Sequence, residues 1–291
     1  MILRRPSIER AKEIELLSQC LELTRAKLAF VSVDEEALIP VARYLDAARF
    51  QEERDVLFRP SFNVVAHASQ IASAGDFITR DVLGTPVILV RDSDGSAKAL
   101  VNVCRHRGAT VELKERGKCR RFVCPYHAWA YETDGSLAVA RQPEGFPTLD
   151  VERTSLVGLP CVEAGGLLFV CPDPDARVAE LDAPTRALVA ELEWLGSPES
   201  IVCESETRVW NANWKLIVDG GLESYHFKIA HRNTIAGFFP DNVSTFEFLG
   251  DHIRSILPRS SILSLAEQPE SNWDIRQHTH MLYSIAPNAS I

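Results

Sequence analysis

The stretches CRHRG (residues 104 to 108) and CPYHAW (residues 124 to 129) restrict this 291-residue chain more than any other feature. Together they place Cys104 and His106, then after seventeen residues Cys124 and His127, in the order C-x-H and C-x-x-H. Each half is expected at the tip of a hairpin, so that two facing loops present two ligands each. Gly108 and Pro125 stand where such loops must turn tightly. One zinc ion held by all four groups would usually take its cysteines as one C-x-x-C pair and its histidines as another. Here each half carries one of each. That alternation favours a Rieske [2Fe–2S] centre, in which two thiolates hold one iron and two imidazoles the other.

The rest of the chain is consistent with a globular protein whose partners are small molecules or proteins. A formal net charge of −9 opposes a nucleic-acid or anionic-membrane surface, because binding phosphates needs clustered Lys and Arg. No run approaches the roughly 18 apolar residues of a membrane span, and the first twenty residues lack the apolar core of an export signal. A cytoplasmic location is expected. Seven cysteines, an odd number at irregular spacing, suit thiols or metal ligands better than a disulfide framework. Cys20, Cys119, Cys161, Cys171 and Cys203 are expected as packed thiols.

Three domains are expected: an N-terminal helical segment over 1–60, a β domain over 61–171 and a second domain over 172–291. Residues 7–29 carry Ile14, Leu17, Cys20, Leu21, Leu23 and Leu28 at helical spacing, and a second helical stretch runs from Asp34 to Val56. In the β domain, PVILVRDSDGSAKALVNV, WAYETDGSLAVA and LPCVEAGGLLFV each read as two strands around a turn. CPDPDAR marks the boundary. Beyond it SIVCESETRVW reads as a strand, NANWKLIVDGGLESYHFKIAH as a helix with Asn211 or Asn213 as its N-cap, and HMLYSI as a strand.

That helix carries the second constellation. Asp219, Glu223 and His226 fall at i, i+4 and i+7, on one helical face. His231 lies five residues further, about 140° around an ideal helix. The two imidazoles converge only if the helix ends or distorts, and Gly220 with Gly221 weakens it. Two imidazoles and a carboxylate form the facial triad of non-haem Fe(II) oxygenases. Taken alone, the pair also reads as two surface histidines.

CRHRG, CPYHAWAYETDG and ALVNVCRHRGA, with N-W-K and D/E-x-Y-H followed after four residues by a second His, resemble the Rieske-type ring-hydroxylating oxygenase α subunits. The resemblance runs from about Tyr44 to the last residue. It implies an α+β architecture: an all-β Rieske domain of hairpins and part of a helix-grip catalytic domain, an antiparallel sheet wrapped on a helix. It implies that Cys104 and Cys124 ligate one iron of the cluster and His106 and His127 the other, with Trp129 and Tyr131 packed nearby. His226 and His231 would hold a mononuclear Fe(II) that works with O2. Glu223 would link the Rieske histidine of one subunit to an iron ligand of its neighbour. Asp219 reads either as a support behind the site or as a solvated helix residue. The family's third iron ligand, a downstream aspartate, has no match among Asp241, Glu247, Asp251, Glu267, Glu270 and Asp274, so a truncated catalytic domain is expected. Partners implied are an NAD(P)H-dependent flavin reductase, with or without a ferredoxin, a small organic substrate and two further copies in a ring of three. Aromatic ring hydroxylation is the commonest family activity. Oxidation or demethylation of a quaternary ammonium compound is the alternative, favoured by Glu in place of the usual Asp, and an electron-transfer protein with an inactive second domain is the rival class.

Overall fold

The computed structural model describes residues 8–27 and 38–291. Positions 7, 28 and 29 of the first expected helix, and 34–37 of the second, lie outside the described residues. The rest of the first forms α1 (Arg10–Ala26), while the second is broken at Asp46 into α2 (Ala42–Leu45) and α3 (Ala47–Glu53), followed by a π-helical turn over Arg54–Phe58. Asp46 is extended, and its carboxylate accepts from the N–H groups of Ala48 and Arg49, so it closes one helix and caps the next. Among the described residues no helix is long and apolar enough to cross a membrane.

The chain divides into two compact units. One takes Gln51–Asp182 and Leu195–Thr207. Its strands are β1 (Asn63–His67), β2 (Asp76–Val82), β3 (Thr85–Arg91), β4 (Ala97–Val101), β5 (Arg116–Lys118), β6 (Arg121–Val123), β7 (Ala130–Glu132), β8 (Leu137–Val139), β9 (Gly158–Leu159), β10 (Cys161–Ala164) and β11 (Leu167–Val170). They form antiparallel sheets ordered β5-β2-β3-β4-β9, β6-β7-β8 and β1-β11-β10. The five-stranded sheet is covered on both faces. Phe77, Ile88, Val90 and Leu100 pack with Phe122, Trp129 and Tyr131, whereas Ile78, Val87, Leu89 and Ala99 pack with Leu168 and Val170. Burial on both sides explains the unbroken apolar run of β3.

The three expected hairpins all form. Two share one turn chemistry: in Asp94-Gly95-Ser96 and Asp134-Gly135-Ser136 the glycines sit at φ +87° and +93°. Each Asp Oδ1 accepts from the N–H and hydroxyl of the serine two residues on. Those bonds hold both carboxyls below the usual carboxylate range.

The second unit takes the described residues up to Phe50 with Ala183–Trp194 and Arg208–Ile291. It contains α4 (Ala183–Leu195), whose last residue falls in the other unit, and α5 (Trp214–Leu222) and α6 (Phe227–Ala230). An antiparallel sheet follows in the order β12 (Thr245–Leu249), β13 (His252–Pro258), β14 (Thr279–Ile285), β15 (Ala289–Ser290). Here the expectation of a separate segment over 1–60 is corrected. Leu16, Leu17, Cys20 and Leu21 of α1 bury themselves against Ile256 of β13 and against Ile262, Leu265, Trp273 and Ile275. The buried Glu13 accepts the Ile275 N–H at 2.9 Å. An isolated amphipathic helix of this length is marginal in water, so its apolar stripe takes the nearest sheet.

SIVCESETRVW is also corrected: residues 201–210 form no strand and are exposed throughout, with Val209 96% accessible. β-branched residues favour a strand only where a neighbouring strand offers a pleated surface. Cys203, on this segment, is exposed rather than packed; Cys20 and Cys171 are buried and Cys119 and Cys161 half-buried.

Candidate metal centres

The CRHRG loop leaves β4 but does not return beside it. β9 occupies the free edge of β4, and β5 pairs with β2 on the far side of the sheet, so this loop crosses over rather than capping a hairpin. CPYHAW does cap one, between β6 and β7. The two loops nevertheless share one backbone conformation. Cys104 N–H donates to Ala109 O at 2.7 Å and Gly108 N–H to Cys104 O at 2.9 Å; Cys124 N–H donates to Trp129 O at 2.8 Å and Ala128 N–H to Cys124 O at 3.0 Å. In each, the residue four after the cysteine is left-handed: Gly108 at φ +74° and Ala128 at φ +57°. Glycine is at ease there and alanine is not, at a cost of about 1 kcal/mol. Ala128→Gly is therefore expected to raise stability by up to about 1 kcal/mol. Urea unfolding of the two chains checks this, and a lower midpoint in the glycine variant would refute it.

Sequence reasoning missed Asn102, the buried residue that braces the crossover loop. Its amide donates to Glu112 O at 2.8 Å while its carbonyl accepts from the Val111 and Glu112 N–H groups at 3.1 and 2.9 Å. Only the fold brings residues ten apart within reach, so no sequence signal marked it.

The loops bring all four expected ligands together. The thiols of Cys104 and Cys124 are buried, 3% and 2% accessible, and burial together with the neighbouring Cys104 thiol raises the pKa of Cys124. The rings of His106 and His127 lie half-buried with centroids 4.7 Å apart at 68°. Two imidazoles bound to one metal at about 2.1 Å, between about 90° and 109° apart, set their ring centres about 4.6–5.3 Å apart. The pair fits. Burial, then the His127 neighbour, lowers the pKa of His106, which favours the neutral ring that ligation needs. Trp129 stacks on His106 at 4.8 Å and 10°. The Tyr131 hydroxyl accepts from the Arg105 N–H at 3.1 Å and lies 3.3 Å from Cys104 Sγ, a contact in which either group can donate.

In the other unit the single expected helix is corrected. α5 opens on Asn213, whose side chain caps the Lys215 N–H at 3.1 Å, and ends at Leu222 after the glycine pair. Glu223 is extended, at φ −110° and ψ 148°, so it does not share a helical face with Asp219 and His226. Its carboxylate reaches forward instead. Oε2 accepts the His226 N–H at 3.1 Å, satisfying a donor at the start of α6, and Oε1 accepts from His226 Nδ1 in a short hydrogen bond. Burial acts to raise the pKa of Glu223, but the His226 bonds outweigh it and hold the carboxyl below its usual value. With Nδ1 committed, His226 presents Nε2 as its free donor atom.

His226 and His231 flank the single turn of α6 as its N-cap and C-cap, and their ring centroids are 5.1 Å apart. This also falls in the range for two imidazoles on one metal. Asp219 is turned elsewhere: its Oδ2 accepts the Tyr44 hydroxyl at 2.8 Å. Among the described residues no three His, Cys, Asp or Glu side chains are grouped to hold one ion. Of the downstream acids, Glu247 pairs with Arg254 and Asp274 caps the turn at Arg276.

The family model described as Rieske [2Fe-2S] domain matches residues 61–151, and that described as ring hydroxylating alpha subunit (catalytic domain) matches residues 193–291. The chain is 39% identical over 199 residues to the carnitine monooxygenase oxygenase subunit of Escherichia coli (strain K12), covering 66% of this chain and 52% of that protein. It therefore spans about half the length of that relative. The crystal structure of a quaternary ammonium Rieske monooxygenase with an inhibitor superposes with a TM-score of 0.74 at 28% identity, over 87% of this chain and 66% of that one. Naphthalene 1,2-dioxygenase from Rhodococcus sp. superposes with a TM-score of 0.73 at 25% identity, over 96% and 68%. With a paired-thiol and imidazole centre in one unit and a carboxylate-backed imidazole pair in the other, the chain belongs to the Rieske non-haem iron oxygenase α-subunit family, whose cofactors are a Rieske [2Fe–2S] cluster and a mononuclear iron.

Proposed function

We propose that this chain is the oxygenase component of a multicomponent Rieske system, oxidising a small quaternary ammonium compound with O2 and electrons drawn from NAD(P)H through a flavin reductase. The observation that carries the proposal is the second imidazole pair with Glu223 behind it, since a pure electron carrier needs only the first. Identity of 39% with a carnitine monooxygenase subunit supports the substrate class. Aromatic ring hydroxylation is the second reading, favoured by the match to naphthalene dioxygenase over nearly the whole chain.

When bound, the cluster supplies single electrons and the mononuclear iron the capacity to activate O2. The residues of this chain do the positioning. Cys104, Cys124, His106 and His127 hold the cluster, and Tyr131 steadies the Cys104 sulfur. His226 and His231 hold the iron, with Glu223 keeping the His226 proton on Nδ1. In a ring of three subunits the outer face of Glu223, whose side chain is 43% accessible, is open to a histidine of the neighbouring Rieske domain. A ferredoxin stands between reductase and cluster if the reductase cannot reach it directly.

Glu223→Gln replaces one of the two carboxylate oxygens that serve the His226 N–H and Nδ1 by an amide donor and removes the charge, so one of the two bonds that orient His226 is lost. The variant is expected to keep its cluster absorbance and to lose about tenfold or more in iron affinity and turnover. Unchanged iron content and turnover would remove Glu223 from the site. Oxygen uptake with a flavin reductase and NADH tests the function itself. Stimulation by carnitine supports the proposal, stimulation by naphthalene alone moves the substrate to the aromatic class, and a reducible cluster without uptake identifies an electron carrier.

A further inference from the structure

We infer that Lys228 is a positioning residue of the iron site, a latch that holds the segment Ala236–Phe239 against the turn carrying His226 and His231. Lys228 lies in α6, between the two histidines. Its ammonium donates to Ala236 O at 3.1 Å and to Phe239 O at 3.0 Å. Both acceptors are main-chain carbonyls, one at the start of a 3₁₀ turn over Ala236–Phe238 and the other just after it. The segment is otherwise tied by the N–H groups of Thr234 and Ala236 to His231 O, at 3.0 and 3.2 Å, and of Phe238 to Ile235 O at 3.0 Å. Only Ala236 of its residues is buried; Phe238 is 65% accessible. Besides the buried Ala236 and the half-buried Phe239 ring, the doubly engaged ammonium of Lys228 restrains the segment through its main-chain carbonyls.

What the latch positions is Phe239. Its ring lies 5.6 Å from that of Phe227 and 6.1 Å from that of His280 on β14. Phe227 in turn stands edge-on to both candidate iron ligands, 5.0 Å from His226 and 5.7 Å from His231. A continuous row of rings therefore runs from the imidazole pair through Phe227 and Phe239 to His280 of the sheet, and the carbonyl of Phe239 is bonded to Lys228. Releasing that carbonyl frees Phe239, then Phe227, and with it the orientation of both imidazoles. The effect on metal rests on the proposed iron site, whereas the latch itself does not.

Amide hydrogen exchange reads the latch without metal or substrate. In Lys228→Met, which keeps the stem and removes the donors, the amides of Thr234, Ala236 and Phe238 are expected to exchange at least about tenfold faster, matching the loss of one charge-assisted hydrogen bond. Lys228→Arg, which retains charge and donors, is expected to restore protection. Unchanged exchange in a folded Lys228→Met chain overturns the inference. Should that variant not fold, Lys228→Gln, shorter and uncharged, is expected to show the same acceleration, and native-like exchange there overturns it equally. Titration with Co(II), followed by its visible ligand-field bands, reads the second step: Lys228→Met is expected to bind about tenfold more weakly, with altered bands, and Lys228→Arg to recover both. Faster exchange with unaltered Co(II) binding overturns the positioning role while leaving the latch. Absence of Co(II) binding in the unaltered chain refutes instead the reading of His226 and His231 as ligands.

Discussion

Replacing Cys104 or His127 by alanine is expected to abolish the visible absorbance and the reduced-state EPR signal of the anaerobically purified chain, with sulfide falling to near zero per chain. The effect is all or none because either substitution takes one of the two protein ligands from one iron of the cluster, and neither iron is held by protein groups beyond its pair. The fold of the loops is expected to survive, since their turns are closed by main-chain bonds rather than by the cluster. A variant that keeps its brown colour refutes the ligand assignment. Zinc found in place of iron in the unaltered chain refutes the centre as a whole.

The second large effect is one of stability. Arg254 on β13 is 3% accessible, with Nη1 2.5 Å from Glu191 Oε1 on α4 and Nη2 in a short ion pair with Glu247. The Tyr283 hydroxyl donates to the other Glu191 oxygen at 2.8 Å. The network ties helix to sheet, yet Arg254 Nε is buried without a partner, so the arginine is not fully compensated. Arg254→Met leaves Glu191 as a buried, unneutralised carboxylate, and a loss of about 3–5 kcal/mol is expected. Adding Glu191→Leu removes the stranded charge, so the double variant is expected to recover a large part of that loss. Urea unfolding followed by tryptophan fluorescence measures both. A single variant as stable as the parent, or a double variant no better than the single, would show that the buried charge does not govern stability here.

Local chemistry was legible. The three hairpins and the Asn213 cap each depend on residue type within a few positions, and each was found where the motif lay; the rings of His106 and His127 also lie side by side. Elements that depend on a neighbour were not. Residues 201–210 have strand composition without strand structure, and CRHRG loops across a sheet because β9 already holds the edge its strand would need for a hairpin. The long helix expected through His231 broke after Gly221, where Glu223 gains more by capping the next turn and bonding His226 than by continuing the ladder.

By itself the sequence determined the kind of chemistry: two thiols and two imidazoles in alternation, a second imidazole pair with an acid three residues before it, and turns closed by glycine and aspartate. Donor type and spacing are properties of the covalent chain, and metal chemistry selects on them directly. Tertiary structure alone decided which nitrogen of His226 is free, that Asp219 turns to Tyr44, that α1 belongs to the sheet, and that Lys228 reaches two carbonyls eight and eleven residues away. Those outcomes depend on backbone angles summed over many residues and on competition for buried partners, neither of which is written at any single position.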